Sequence, residues 1–201
     1  MKDFFHKYKQ ELIESIDKIS QKDMKQFFQI MLDSYNKNKK IIIIGNGGSA
    51  ATASHFSCDL GKGASVEGVR RFRVISLTDN IPLITAISND ISYDEVFKYQ
   101  LENILEEDDL VIGISASGNS ENIVKAFEYA KSKSAKTFGL VGFSGGKVKD
   151  LSDGYIHVQS FNYGIVEDIH LIIEHVLTQY FKKYMGEMNI NKSNKTLGQE
   201  D

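Results

Sequence analysis

The run Lys40-Ile41-Ile42-Ile43-Ile44, followed at once by Gly45-Asn46-Gly47-Gly48-Ser49-Ala50, constrains the fold more than any other segment. β-Branched residues favour an extended backbone, and a strand that is apolar at every position rather than at alternate ones must be buried on both faces. That reading makes it a central strand of a parallel sheet with helices on either side. The rest of the chain repeats the unit. Short β-rich runs at 72–77, 109–114, 136–141 and 154–158 alternate with helical stretches from Ser49, through 81–104, over 120–132 and from 165 onward. This is the pattern of an α/β protein, which binds ligands where the C-terminal ends of its strands turn into helices.

Ahead of the first strand, residues 2–37 carry Leu12, Ile16 and Ile19, then Phe27, Ile30, Met31 and Tyr35, at helical spacing, with a break near Ser20 to Asp23. Two amphipathic helices are expected there, suited to packing or subunit assembly. With 201 residues, 41% of them apolar, the chain can bury one sizeable core. A single domain over 1–185 is expected, with helices in 1–38 and the sandwich in 39–185. Residues 186–201, rich in Asn, Lys, Ser, Gly and Gln, read as a flexible tail. Lys and Arg (24) nearly balance Asp and Glu (27), which argues against nucleic acid or an anionic membrane as partner and for a small molecule. Cys58 has no partner for an internal disulfide, the N-terminus lacks a signal-like apolar run, and no stretch approaches the roughly 20 apolar residues of a membrane span. A cytoplasmic protein is expected.

Three features carry chemistry. The loop Gly45 to Ala50 lets a backbone approach a ligand and offers helix-start amides to an anion, although its glycine spacing is not that of a dinucleotide site. Ser115-Ala116-Ser117-Gly118-Asn119-Ser120 likewise follows a strand and precedes a helix; three hydroxyls there can wrap a phosphate without fixed positive charge. Ordinary capping by Ser117 or Ser120 needs only one serine. His55 and Asp59, at i and i+4, share a helix face and can share a metal or a substrate proton, or simply a hydrogen bond. The final helix adds Glu167, His170, Glu174 and His175. Its two histidines point in different directions, and Glu167 stands about 12 Å along the axis from His175. Asn89-Asp90 reads as a polar pair in which Asp90 can cap the next helix, and 61–71, with Lys62, Arg70 and Arg71, as either a charged lid or a solvated loop.

In order along the chain, Gly45-Asn46-Gly47-Gly48-Ser49 with His55, Ala86-Ile87-Ser88-Asn89-Asp90, and Gly113-Ile114-Ser115-Ala116-Ser117-Gly118-Asn119-Ser120 resemble the phosphoheptose isomerase branch of the sugar isomerase (SIS) family. Val141-Gly142-Phe143-Ser144-Gly145-Gly146-Lys147 and the histidine-bearing last helix fall where that family has counterparts. The resemblance implies a three-layer, flavodoxin-like α/β/α sandwich with a central parallel sheet, assembled as a homotetramer with active sites at subunit interfaces. It implies conversion of sedoheptulose 7-phosphate to a glycero-manno-heptose 7-phosphate for bacterial surface glycans. By position, Ser115, Ser117 and Ser120 would hold the phosphate, with Ala116 in the same loop; Asn46, Gly47, Ser49 and Asp90 would line the sugar; and His55, Asp59, Glu167 and His175 would bind zinc.

This chain departs from the family pattern at several of these positions. Asp59 replaces a glutamate, Glu167 a glutamine, Ala116 a threonine and Gly164 an aspartate. The shorter Asp59 pulls its carboxylate back by more than about an ångström, which matters for proton transfer. The implied chemistry is aldose–ketose isomerisation through an enediol, with Asp59 and His175 as the acid–base pair. Two alternatives share the motifs: a non-catalytic SIS protein that binds a sugar phosphate or a protein such as DnaA, and an isomerase of another sugar phosphate such as arabinose 5-phosphate.

Overall fold

The isoleucine run forms β1 (Lys40–Gly45), paired in parallel with β2 (Arg73–Ser76) on one side and β3 (Leu110–Ser115) on the other. β4 (Lys136–Val141) and β5 (Gly154–His157) extend the sheet, again in parallel, to the order β2-β1-β3-β4-β5. This is a computed structural model that describes residues 1–197.

All four isoleucines are fully buried, and their alternation divides them between two cores. Ile41 and Ile43 pack with Phe27, Phe56, Ile169 and Phe181 beneath α1 (Lys2–Asp17), α2 (Gln21–Asn36), α3 (Gly48–Cys58) and α8 (Tyr163–Leu197). Ile42 and Ile44 pack with Val96, Phe97, Ile123 and Phe127 beneath α4 (Ile81–Asp90), α5 (Val96–Ile104), α6 (Glu121–Ser132) and α7 (Gly146–Leu151). The result is the three-layer sandwich expected from the sequence.

Several boundaries differ from that expectation for local reasons. The α1–α2 break falls at residues 18–20, because the Ser20 hydroxyl accepts a hydrogen bond from the Asp23 amide (3.2 Å) and starts α2 there. The 81–104 stretch is divided at Ile91 and Ser92, after which a tight turn, Tyr93–Glu95, leads into α5. α3 runs on into one wider turn, Asp59–Gly63, so the 61–71 segment begins as the end of a helix. The six-residue α7 is too short to show a period. At the C-terminus, 186–197 of the segment read as a tail continue α8, and 198–201 lie outside the described residues.

At the other end of β1, Lys40 and Asp109 form a buried ion pair (3.0 Å), which Glu106 joins from the surface at 2.8 Å. Asp109 also accepts the amides of Lys40 (2.8 Å) and Glu106 (2.9 Å), pinning the β1–β3 register. Burial opposes the charge on Lys40, but its bonds to Glu106 and Asp109 outweigh that and hold its pKa above the usual value. Removing one member of a buried pair strands the other. Asp109→Ala is therefore expected to cost about 3–5 kcal/mol in urea unfolding, whereas Glu106→Ala, at an exposed position, should cost under about 1 kcal/mol.

Candidate active site

The strand order places the site. After β1 the chain crosses to the α3 face, and after β3 to the opposite α6 face, so the two loops diverge and leave a crevice between them. Asn46, Ser49, Ile114, Ser115, Ala116, Ser117, Ser120, Tyr163 and Glu167 line a pocket of about 150 Å³ there.

The serine loop is tightly organised. Ser115 Oγ accepts from the Gly118 amide (3.1 Å) and lies 3.3 Å from Ser120 Oγ, while Ser117 Oγ accepts from the Asn119 amide (3.2 Å). Ser120 occupies the N-cap of α6, yet its side chain makes no capping hydrogen bond. Its hydroxyl, paired only with Ser115 Oγ, is not spent on the helix and can turn to a ligand at the helix N-terminus. The loop before α7 braces this turn: the Gly142 amide donates to Ala116 (3.0 Å), the Val148 amide to Gly118 (2.9 Å) and the Lys147 amide to Asn119 Oδ1 (3.1 Å). Gly118 has φ +65° and presses against the Gly145 carbonyl, so no side chain fits there.

Across the crevice, Asn46 exchanges hydrogen bonds with Asn122 (2.9 and 3.0 Å) and accepts one from the Tyr93 hydroxyl (2.8 Å). A Cβ on Gly48 would stand 2.6 Å from Glu167 Oε2, so the glycine lets α8 bring this carboxylate against the start of α3. Gly47 and Asp90 do not line the pocket. Asp90 is the exposed last residue of α4 and accepts from Asn89 Nδ2 (2.8 Å); Ser92, not Asp90, precedes the next turn.

A second cluster forms where α3 meets α8. His55 Nε2 lies 3.6 Å from Asp59 Oδ2, 3.0 Å from His175 Nε2 and 3.3 Å from Glu174 Oε1, which is also 3.3 Å from His175 Nε2. These four residues form a group that could bind a metal ion. Three of the four ligands implied by the resemblance are brought together; Glu167, held against Gly48, is not in the group. Glu174 is fully buried, and neither carboxylate oxygen has a hydrogen bond. Burial first, then the charge of Asp59, pushes its pKa up to about 8.

Tyr93, Asn122 and Tyr163 gave no signal in the sequence. Glu174 gave one: a carboxylate inside the apolar run Ile172, Ile173, Val176, Leu177. His170 is fully buried and is not part of the group.

The fold and these loops define an α/β protein whose serine-lined pocket sits at the switch point of a parallel sheet. The SIS domain family model matches residues 3–142, and the chain belongs to this family. Among its relatives, the phosphoheptose isomerase of Helicobacter pylori strain P12 is 36% identical over 185 residues, 92% of this chain and 95% of the relative. That of a Nitratiruptor species is 40% identical over 148 residues, 74% of this chain and 79% of the relative. The solved structure of phosphoheptose isomerase GmhA from Neisseria gonorrhoeae superposes with a TM-score of 0.82 at 27% identity, covering 90% of this chain and 96% of that one.

Burial pushes the His170 imidazole down to about 4, with the Val141 backbone acting weakly in the opposite direction. The unfolded chain therefore takes up this proton first, and stability is lost as pH falls from about 6.5 toward 4. Glu174, protonated in the metal-free fold, works in the opposite sense and masks the effect in the wild type, so a variant comparison is needed. The stability gap between metal-free wild type and His170→Leu should shift in the variant's favour by about 2 kcal/mol between about pH 7.5 and about pH 5, measured by urea unfolding.

Proposed function

We propose that this chain is a phosphoheptose isomerase, interconverting sedoheptulose 7-phosphate and D-glycero-D-manno-heptose 7-phosphate by enediol proton transfer, for heptose supply to bacterial glycans. The observation that carries the reading is the pairing of a serine loop, whose Ser120 hydroxyl is not spent on its helix, with a histidine–carboxylate cluster between α3 and α8, the helix whose Glu167 lines the serine pocket. Ser115, Ser117 and Ser120 hold the phosphate, and Asn46, fixed by Asn122 and Tyr93, orients the sugar with Ser49.

Asp59 and His175 move the protons. One removes the proton from the carbon beside the carbonyl while the other shifts protons between the adjacent oxygens. Their side chains are 31% and 41% exposed, where a substrate can reach them, whereas Glu174 is sealed at 0%. Imidazole and carboxylate donors suit zinc, with His55, Asp59 and His175 as ligands; a bound zinc supplies polarisation of the substrate carbonyl. The 150 Å³ pocket holds the phosphate end, and the rest of the sugar is enclosed by a neighbouring subunit in a cytoplasmic homotetramer. Exposed Phe4, Phe5 and Ile13 on α1 and Val176 and Tyr180 on α8 supply apolar contact surface for that assembly.

The test is incubation with sedoheptulose 7-phosphate, following aldose formation by NMR. Ser120→Ala should raise KM about tenfold with kcat little changed, as expected for one charge-assisted hydrogen bond. Asp59→Asn and His175→Ala should each lower kcat by about 10²–10⁴; a wild-type rate in either removes that residue from the mechanism. A folded wild type that binds phosphate but forms no aldose would sink the isomerase reading.

A further inference from the structure

Glu174 is used by none of the chemistry above, and its environment makes no sense for a spectator. It lies on α8 between apolar positions, fully buried, with both oxygens lacking hydrogen bonds. An unpartnered buried carboxylate is strongly destabilising, because burial removes its hydration and nothing replaces it. The two groups nearest Oε1 are His55 Nε2 and His175 Nε2, each at 3.3 Å, and these nitrogens lie only 3.0 Å from one another. Nitrogens so placed can satisfy each other only if one carries its proton toward the other, so without an ion the carboxyl group is left in its neutral form and makes no hydrogen bond of good geometry.

A divalent cation resolves every one of these contacts at once. For ligand bonds of about 2.0–2.1 Å, the edges of a tetrahedron are about 3.3–3.4 Å. The observed separations of 3.0, 3.3, 3.3 and, to Asp59, 3.6 Å scatter around that value, and all the ligand atoms lie within 4.8 Å of one another. Two neutral imidazoles and two carboxylates also balance the charge of the ion.

We propose that Glu174 is a metal ligand, completing with His55, Asp59 and His175 a four-ligand site drawn from one chain and leaving Glu167 to the substrate pocket. The inference deepens the zinc-assisted reading above, but its test does not depend on turnover. In that set Glu174 would be the sealed carboxylate and Asp59 the one on the exposed rim.

The experiment is isothermal titration of metal-stripped protein with zinc chloride, paired with absorption spectra of the cobalt-loaded protein. The wild type should bind one equivalent. Glu174→Leu fills the same buried space with an apolar side chain; it should melt at or above the temperature of the metal-free wild type, yet lose zinc affinity by at least about 100-fold. Glu174→Gln, nearly isosteric, serves if the leucine variant fails to fold, and should weaken zinc and alter the cobalt ligand-field bands. Glu167→Gln should bind zinc within about threefold of wild type and leave those bands unchanged. Wild-type zinc affinity in the Glu174 variants, loss of zinc in Glu167→Gln, or no stoichiometric uptake by the wild type would each overturn the proposal. Turnover of sedoheptulose 7-phosphate, measured separately, decides the isomerase reading.

Discussion

Everything at the site depends on the junction between β1 and β3. The two strands are neighbours in the sheet, locked in register at one end by the buried Lys40–Asp109 pair and along their length by isoleucines packed into both layers. Because the chain leaves β1 for one face and β3 for the other, the ends of these strands cannot be bridged by a common helix. The crevice is a consequence of topology, and the glycine and serine loops are what fills its rim. Their precision is borrowed from packed elements: the α7 loop braces the serine turn, and Asn122 at the start of α6 fixes Asn46 across the gap.

How much of this was legible in the sequence follows from the range of each signal. The isoleucine run and the alternation of strands and helices are local patterns, and they placed the layers and the serine loop. Ser120 could not be read locally, because a serine at a helix start looks the same whether it caps or waits for a ligand; only its missing capping bond distinguishes the two. Asp90 looked like a cap for the next helix, but the helix before it runs to that residue and Ser92 precedes the next turn. The short α7 carries no period to detect. Glu174 was visible as a polar residue in an apolar run, but its meaning required knowing that α3 brings His55 to the same spot, a contact between positions far apart in the chain.

The histidine cluster also shows the conflict between stability and function expected at an active site. Helix α8 carries His170 and Glu174 in full burial, four residues apart, and neither has a hydrogen bond of regular geometry. Apolar side chains at both positions would suit the core better. A purely structural helix has no use for them, and the carboxylate is intelligible only as part of the cluster it faces.

On the proposed function, helix α8 would further set the scale of the substrate. Its Tyr163 and Glu167 reach the serine pocket, while Glu174 and His175 belong to the second cluster. The seven residues from Glu167 to Glu174 amount to about 10 Å along a rigid axis. On the proposed reading, a phosphate held at one end and a carbonyl at the other must be joined by several carbons. A short triose phosphate could not occupy both positions, whereas an extended seven-carbon chain has the reach. The length of the sugar would then be measured by the pitch of one helix rather than by contacts to each hydroxyl, which fits a pocket where Ala116 offers no hydroxyl to the chain between.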